Sequence, residues 1–252
     1  MSSTTPIVYL SRLEDVKALA QPRAALFLSA SVPYLLDESK IDLEPDDSLD
    51  DLNARYWATR QPARIRAAVS ALTRVTLGHD IRLVFGAHPS ISPMVLQAAS
   101  DMHAPPGSVV VFQSDVFATQ IPAPTLQLAN WKSGQLVMTA RQAEPAQKKR
   151  FPNSLAFMRA AMTEMAGLQG AVFIGGLRGV ELEANLFQAR HPGLRRYAIA
   201  STGSAAAELA ARPHGQFAGT LSSPDAQLLR SSRSYSLVAH KIVSDLLRGG
   251  HP

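Results

Sequence analysis

The sequence predicts an α/β chain: a single doubly wound Rossmann-like domain, with a mostly parallel sheet covered by helices on both faces. Three observations predict it. Short, nearly continuous apolar runs alternate with longer segments of helical period, as a parallel sheet buried on both faces requires. Small and polar residues gather where the apolar runs end. The 252 residues, 46% of them hydrophobic, suffice for one sizeable core, and no stretch reads as a domain linker. The expected core spans about 24–248, with the segment 1–23 packing on it.

The elements follow in order. "AALFLSAS" (Ala24–Ser31) is a strand ending in small polar residues. The acidic stretch Asp37–Asn53 reads as an irregular, solvated insert. "PARIRAAVSALTRVTLG" is a helix: Pro62 suits its first turn, Ile65, Ala68, Val69 and Leu72 share a face, and Gly78 can cap its end. "IRLVFGAHPSISPMVLQAAS" is a strand, a Gly/Pro/Ser loop and a helix, and "SVVVFQS" and "QLVMTAR" are further strands. Loops are expected at Ile121–Pro124 and around Lys148. "NSLAFMRAAMTEMAGLQG" is a helix with Asn153 or Ser154 as its cap, and "AVFIGG" a strand. "VELEANLFQAR" is a helix, "RRYAIAST" a strand and "GSAAAELAA" a helix, and "SYSLVAHKIVSDLLRG" is the closing helix.

Composition narrows the function. The chain has no cysteine, which excludes disulfides, thiolate zinc sites and a cysteine nucleophile. No His/Asp/Glu spacing resembles a metal site, so no metal and no cofactor is expected. The formal charge of +5 is spread along the chain apart from Lys148-Lys149-Arg150, without the basic, aromatic-studded stripe of a sequence-reading nucleic-acid binder. Small anionic ligands such as nucleotides fit that balance. No run matches a membrane span or a signal peptide, so a cytoplasmic protein is expected.

Right-handed crossovers place ligands of such sheets outside the carboxyl ends of the strands, where the strand order reverses. The residues at those ends are Ser29 and Ser31, then Gly86, His88, Ser90 and Ser92, then Gln113 and Ser114, then Gly175 and Gly176, and last Thr202, Gly203 and Ser204. Glycine lets backbone approach a ligand, and helix N-termini offer N–H groups to phosphate. The same residues also serve turn geometry alone. His88 either meets a base or caps the following helix, and Arg178 either meets phosphate or stands in solvent.

The turns carry a resemblance. "LVFGAHPSISPMV" is similar to the second-strand glycine loop of Lonely Guy (LOG) phosphoribohydrolases, and "FLSASVP", "FIGGLRGVELE" and "ASTGSAA" resemble the other signature turns of the SLOG superfamily. That superfamily joins the LOG hydrolases, the DprA/Smf proteins and nucleotide-sensing domains of bacterial defence systems, and the defence-associated branch is the one resembled. LOG hydrolases carry an arginine followed by lysine on a helix, then P-G-G-x-G-T-x-x-E. Arg159, sixteen residues before Gly175, matches the arginine, while Ala160 replaces the lysine, Ile174 the proline and Val180 the threonine. One extra residue precedes Gly179, after which Glu183 falls on the family's glutamate, with Glu181 beside it.

The resemblance implies two functions. One is a sensor for a nucleotide-derived signal of the ADP-ribose or cyclic ADP-ribose type in antiphage defence, acting as a homo-oligomer and through a separate effector protein. The other is a LOG-like N-glycosidase acting on a nucleoside monophosphate. In either, Gly175, Gly176 and Gly179 are expected to bring N–H groups to phosphate, and Glu183, with Glu181, to face ribose hydroxyls. Such a carboxylate also suits the oxocarbenium character of a breaking N-glycosidic bond. The altered turn displaces phosphate, which catalysis tolerates less than binding, so the sensor is preferred. An ordinary ion pair between Arg159 and Glu183 is the structural alternative.

Overall fold

The computed structural model describes residues 7–19, 21, 23–33, 49–121, 126, 134–145, 151–213 and 216–248. Seven strands, β1 (Val8–Leu10), β2 (Ala25–Ser31), β3 (Arg82–Gly86), β4 (Val109–Ser114), β5 (Gly134–Thr139), β6 (Leu168–Gly175) and β7 (Arg195–Ile199), form one sheet in the order β1-β5-β4-β3-β2-β6-β7. Every neighbouring pair is parallel. The helices are α1 (Leu49–Thr59), α2 (Pro62–Gly78), α3 (Ser92–Asp101), α4 (Pro152–Thr163), α5 (Arg178–Arg190), α6 (Ser204–Ala210), α7 (Ser223–Ser231) and α8 (Tyr235–Arg248).

The alternation of each strand decides which layer it feeds. Leu26 and Leu28, Leu83 and Phe85, Val109 and Val111, and Val172 and Ile174 pack with α2, α3 and α8. Ala25 and Phe27, Val84, Val110 and Phe112, and Ala171 and Phe173 pack with α4, α5 and α6. Both faces are therefore apolar, as the near-continuous runs require. From β2 the chain winds through β3 and β4 toward one edge, and from β6 it steps to β7 at the other. Opposite travel with one crossover hand puts α2 and α5 on opposite faces, and the carboxyl ends of β2 and β6 become the switch crevice.

Several expectations need correction. The segment 1–23 contributes a strand, β1, which extends the sheet beside β5. The insert expected over Asp37–Asn53 is not wholly irregular, because its end is the first turn of α1. α1 stays because Tyr56 is buried at 1% exposure, a tertiary contact that local polarity conceals. The rest of that insert, most of the Ile121–Pro124 loop and Lys148–Arg150 lie outside the described residues. α7, which the sequence reading left without an element, has Ser222 as its cap.

α4 ends at Thr163, and β6 starts at Leu168, within the segment expected to be helical. Neither Asn153 nor Ser154 caps α4 with its side chain. Glu144 does, accepting from Asn153 N at 3.0 Å, Ser154 N at 2.8 Å and Ser154 Oγ at 2.6 Å. A carboxylate there meets the positive end of the helix. At the other helix end, Gly78 is the last residue of α2, and the left-handed φ of +54° falls on Asp80. Ile65, Leu72, Met158 and Met165 are buried in the core. No described helix is long and apolar enough to cross a membrane.

The outer strand β7 is tied to α8 by a buried carboxylate. Asp245, in α8, accepts from Tyr197 Oη at 2.7 Å, Thr220 Oγ1 at 2.7 Å and Thr220 N at 2.9 Å, with Arg195 Nε 3.9 Å away. Burial works against its charge, but these bonds, chiefly those of Thr220, outweigh it and hold the carboxyl below the ordinary range. Asp245→Ala strands the Tyr197 hydroxyl and the Thr220 N–H, which costs about 2–4 kcal/mol in denaturant unfolding. Because the folded-state value is depressed, this stabilisation is complete above about pH 4 and is lost as pH falls through the folded value. The acid limb of the wild-type stability profile is therefore steeper than that of Asp245→Asn.

Candidate functional site

Three predicted residues meet at the switch crevice. Ser29, near the end of β2, donates its hydroxyl to Glu183 Oε2 at 2.5 Å. Arg159 of α4 places Nε 3.7 Å from Glu183 Oε1. The α5 start is glycine-lined there: a Cβ on Gly179 would stand 3.5 Å from Arg159 Nη2. Glu183 follows Gly179 by one helical turn, so the carboxylate and the guanidinium share the face of α5 that looks into the crevice. Both side chains are mostly covered yet reachable, 14% exposed for Arg159 and 16% for Glu183.

Glu181 does not join them. Two positions along a helix turn a side chain by about 200°, onto the opposite face. There its carboxylate accepts from Tyr56 Oη at 2.8 Å and from Arg212 Nη2 at 2.9 Å, and Arg212 also reaches Asn185 Oδ1 at 2.7 Å. Burial and then the bond to Glu181 push the Tyr56 phenol up, so it stays a neutral donor. The expected second ribose carboxylate is thus a brace between α1, α5 and Arg212. Tyr56 and Arg212 are both absent from the sequence-predicted site, and only an acidic stretch running into two aromatics hinted at α1.

The two glycines of the β6 turn carry out a different task from the expected one. Gly175 and Gly176 adopt φ of +57° and +84°. The Gly175 N–H donates to Thr202 Oγ1 at 2.9 Å, and the Gly176 N–H to the Ser31 carbonyl at 3.0 Å. Both donors are engaged within the protein. A Cβ on Gly175 would run into Ile65, and one on Gly176 into Val180. A substitution at Gly176 therefore reports on the turn and its packing before it reports on phosphate. The first turn of α5 has no side-chain cap, and Arg178 and Gly179 lie at its opening.

The β7 turn is likewise committed. Thr202 and Ser204 are fully buried. Ser204 Oγ donates to the Tyr56 carbonyl at 2.8 Å, and Ser204 N to Thr59 Oγ1 at 3.1 Å. Gly203, at φ +75°, lies so close under the Thr59 carbonyl that a side chain would overlap it. Gly203 and Ser204 thus hold α1, and Thr202 holds the Gly175 turn, rather than an open strand end.

His88 and Ser90 clamp the exit of β2 from the other side. Ser90 Oγ accepts from Val32 N at 3.1 Å and lies 2.7 Å from His88 Nδ1, which also accepts from Ser90 N at 3.2 Å. Nδ1 is therefore the acceptor nitrogen of a neutral ring. The His88 carbonyl accepts from Ile91 N and Ser92 N at 2.9 Å each in the turn before α3, whose cap position is Ile91, without a side-chain cap. Gly86 faces α4, with Met162 Sδ 3.4 Å from where a Cβ would sit. Gln113 and Ser114 are buried at the end of β4, two strands from β2, with Gln113 Oε1 accepting from Ser114 N at 3.0 Å. Among the described residues, no group of three or more potential ligands could hold a metal.

Desolvation lowers the His88 pKa to about 4. An exposed histidine titrates near 6.5, so the neutral ring contributes stability in full above that pH and loses it as pH falls toward about 4. His88→Asn is expected to flatten the stability profile over that window. Imidazole NMR shifts of wild type should hold the neutral form of this ring through pH 6, and a His88 signal titrating near 6.5 overturns the assignment.

The model of the SLOG cluster3 family matches residues 55–228, more than half of the chain. That span runs from α1 into α7 and contains Arg159, Glu183 and the turns after β3, β6 and β7. No curated protein matches the chain. The chain belongs to the SLOG cluster3 family, which points to a nucleotide-related function.

Proposed function

We propose that this protein binds a nucleotide-derived signal of the ADP-ribose or cyclic ADP-ribose type, as a cytoplasmic sensor in bacterial antiphage defence. One observation carries the binding reading: Ser29, Arg159 and Glu183 meet at the switch between β2 and β6. A carboxylate held there accepts the 2′- and 3′-hydroxyls of a ribose, and the uncapped opening of α5, with Arg178 and Gly179, faces the attached phosphate. The choice of ADP-ribose rests on the resemblance of the turns to defence-associated SLOG domains.

The same meeting of Arg159 and Glu183 favours one other reading, an N-glycosidase of the LOG type. Glu183 would stabilise the ribosyl oxocarbenium while water adds at the anomeric carbon and the base departs. A single experiment separates the two: calorimetry and product chromatography with ADP-ribose, cyclic ADP-ribose, NAD and nucleoside monophosphates. For the sensor, wild type binds without product, and Glu183→Ala weakens binding about ten- to a hundredfold, the worth of a charged acceptor. For the enzyme, wild type releases base, and Glu183→Ala abolishes release while binding persists. A Glu183→Ala protein equal to wild type in both assays overturns both.

We also propose that the protein is at least a dimer and passes the signal to a separate protein or to further copies of itself. The outer surface of α2 and α8 suits pairing: a groove lined by Ala71, Val75, Gly78 and His240 runs between them, and Leu237 of α8 is 43% exposed. Light scattering is expected to give a dimer or larger species. A monomer at high concentration, with and without ADP-ribose, is the contrary result.

A further inference from the structure

Ser29 combines a short bond to the carboxylate with almost no access to solvent. Its hydroxyl lies 2.5 Å from Glu183 Oε2, the length of a charge-assisted O–H···O⁻ bond. A hydroxyl can donate only one proton, and this one is committed to Glu183. The residue is 1% exposed, its backbone paired with Phe173 within the β2–β6 ladder. A ligand in the crevice therefore meets Glu183 and not Ser29.

Glu183 stands on α5 with three rotatable side-chain bonds, and Arg159 Nε lies 3.7 Å from its Oε1, an attraction that sets distance more than angle. The Ser29 hydroxyl comes from a different element, a central strand whose position is set by the sheet. It fixes Oε2 and, through the planar carboxylate, the direction in which Oε1 and the remaining lone pairs face the crevice.

We infer that Ser29 is a positioning residue: it acts on the ligand only through Glu183, by holding that carboxylate in the orientation that receives ribose hydroxyls. The ligand part of this inference rests on the proposed nucleotide reading, whereas the orientation of Glu183 does not.

The test is a double-mutant cycle with a spectroscopic arm. Wild type, Ser29→Ala, Glu183→Ala and the double variant are titrated with ADP-ribose and with its analogue lacking the 2′- and 3′-hydroxyls of the terminal ribose. Where Ser29→Ala does not fold, judged by circular dichroism, Ser29→Cys, which keeps the side-chain shape and weakens the donor, takes its place, and Glu183→Gln takes the place of a Glu183→Ala that does not fold. Ser29→Ala is expected to weaken ADP-ribose binding about three- to tenfold when Glu183 is present. The loss should vanish in the Glu183→Ala background and for the dideoxy analogue. A purely structural serine predicts equal losses in both backgrounds and for both ligands, and that result overturns the inference.

The second arm needs no ligand. The difference infrared spectrum of wild type minus Glu183→Gln isolates the Glu183 carboxylate stretch, and Ser29→Ala is expected to shift it. An unmoved band means that Ser29 does not hold the carboxylate, which also overturns the inference. Absence of ADP-ribose binding in wild type, together with a shifted band, refutes the nucleotide reading and the ligand half of the inference, while leaving Ser29 as the residue that orients Glu183.

Discussion

The pairing of β2 with β6 is the constraint on which the rest of the structure depends. It joins the two halves of a doubly wound sheet through seven registered pairs, from Ala25 with Leu168 to Ser31 with Gly175. The ladder continues one residue past the strand, where the Gly176 N–H meets the Ser31 carbonyl. The backbone is left-handed at both glycines there, and Ile65 and Val180 occupy the space that a Cβ on either would need. α5 then leaves at an angle set by the turn. Ser29 and Glu183 come within hydrogen-bonding distance because the strand and the helix start from the same registered junction.

α1 is a second layer built on that junction. Tyr56 buries its ring and donates to Glu181 on the outer face of α5. The C-terminal end of α1 receives Ser204 through Thr59 and the Tyr56 carbonyl. The polar groups of the β7 turn are consumed in this way, which is how buried hydroxyls are satisfied without water. The two glutamates of α5 thus divide their roles by helical geometry alone: one braces a neighbouring helix, the other faces the crevice.

The clamp on the opposite side of β2 uses a different chemistry. Val32 N, Ser90 and His88 form a short chain that works only with a neutral imidazole accepting at Nδ1. Desolvation keeps the ring neutral, so the clamp is strongest at neutral pH and weakens in acid. The crevice is bounded by a glycine turn tied through backbone bonds on one side and by a titratable hydrogen-bond chain on the other.

The sequence by itself determined the sheet and its layers. The nearly continuous apolar runs of β2, β3, β4 and β6 and the Ile65–Leu72 stripe of α2 are local patterns, and burial on both faces of the sheet follows from those runs directly. It also singled out Arg159 and Glu183, because a motif keeps its spacing whatever the fold does around it. The tertiary structure decided what each turn residue is for. Whether the N–H of Gly176 serves a ligand or Ser31, whether Glu181 faces ribose or Tyr56, and whether Ser204 opens a site or holds α1 depend on partners far away in the chain. Glu144 as the cap of α4 and β1 as the seventh strand are of the same kind, since a single carboxylate or a three-residue run has no period to read. Hydrogen bonds of that sort are set by distance in space, and sequence separations of 125 residues between Tyr56 and Glu181, or 154 between Ser29 and Glu183, leave no local trace.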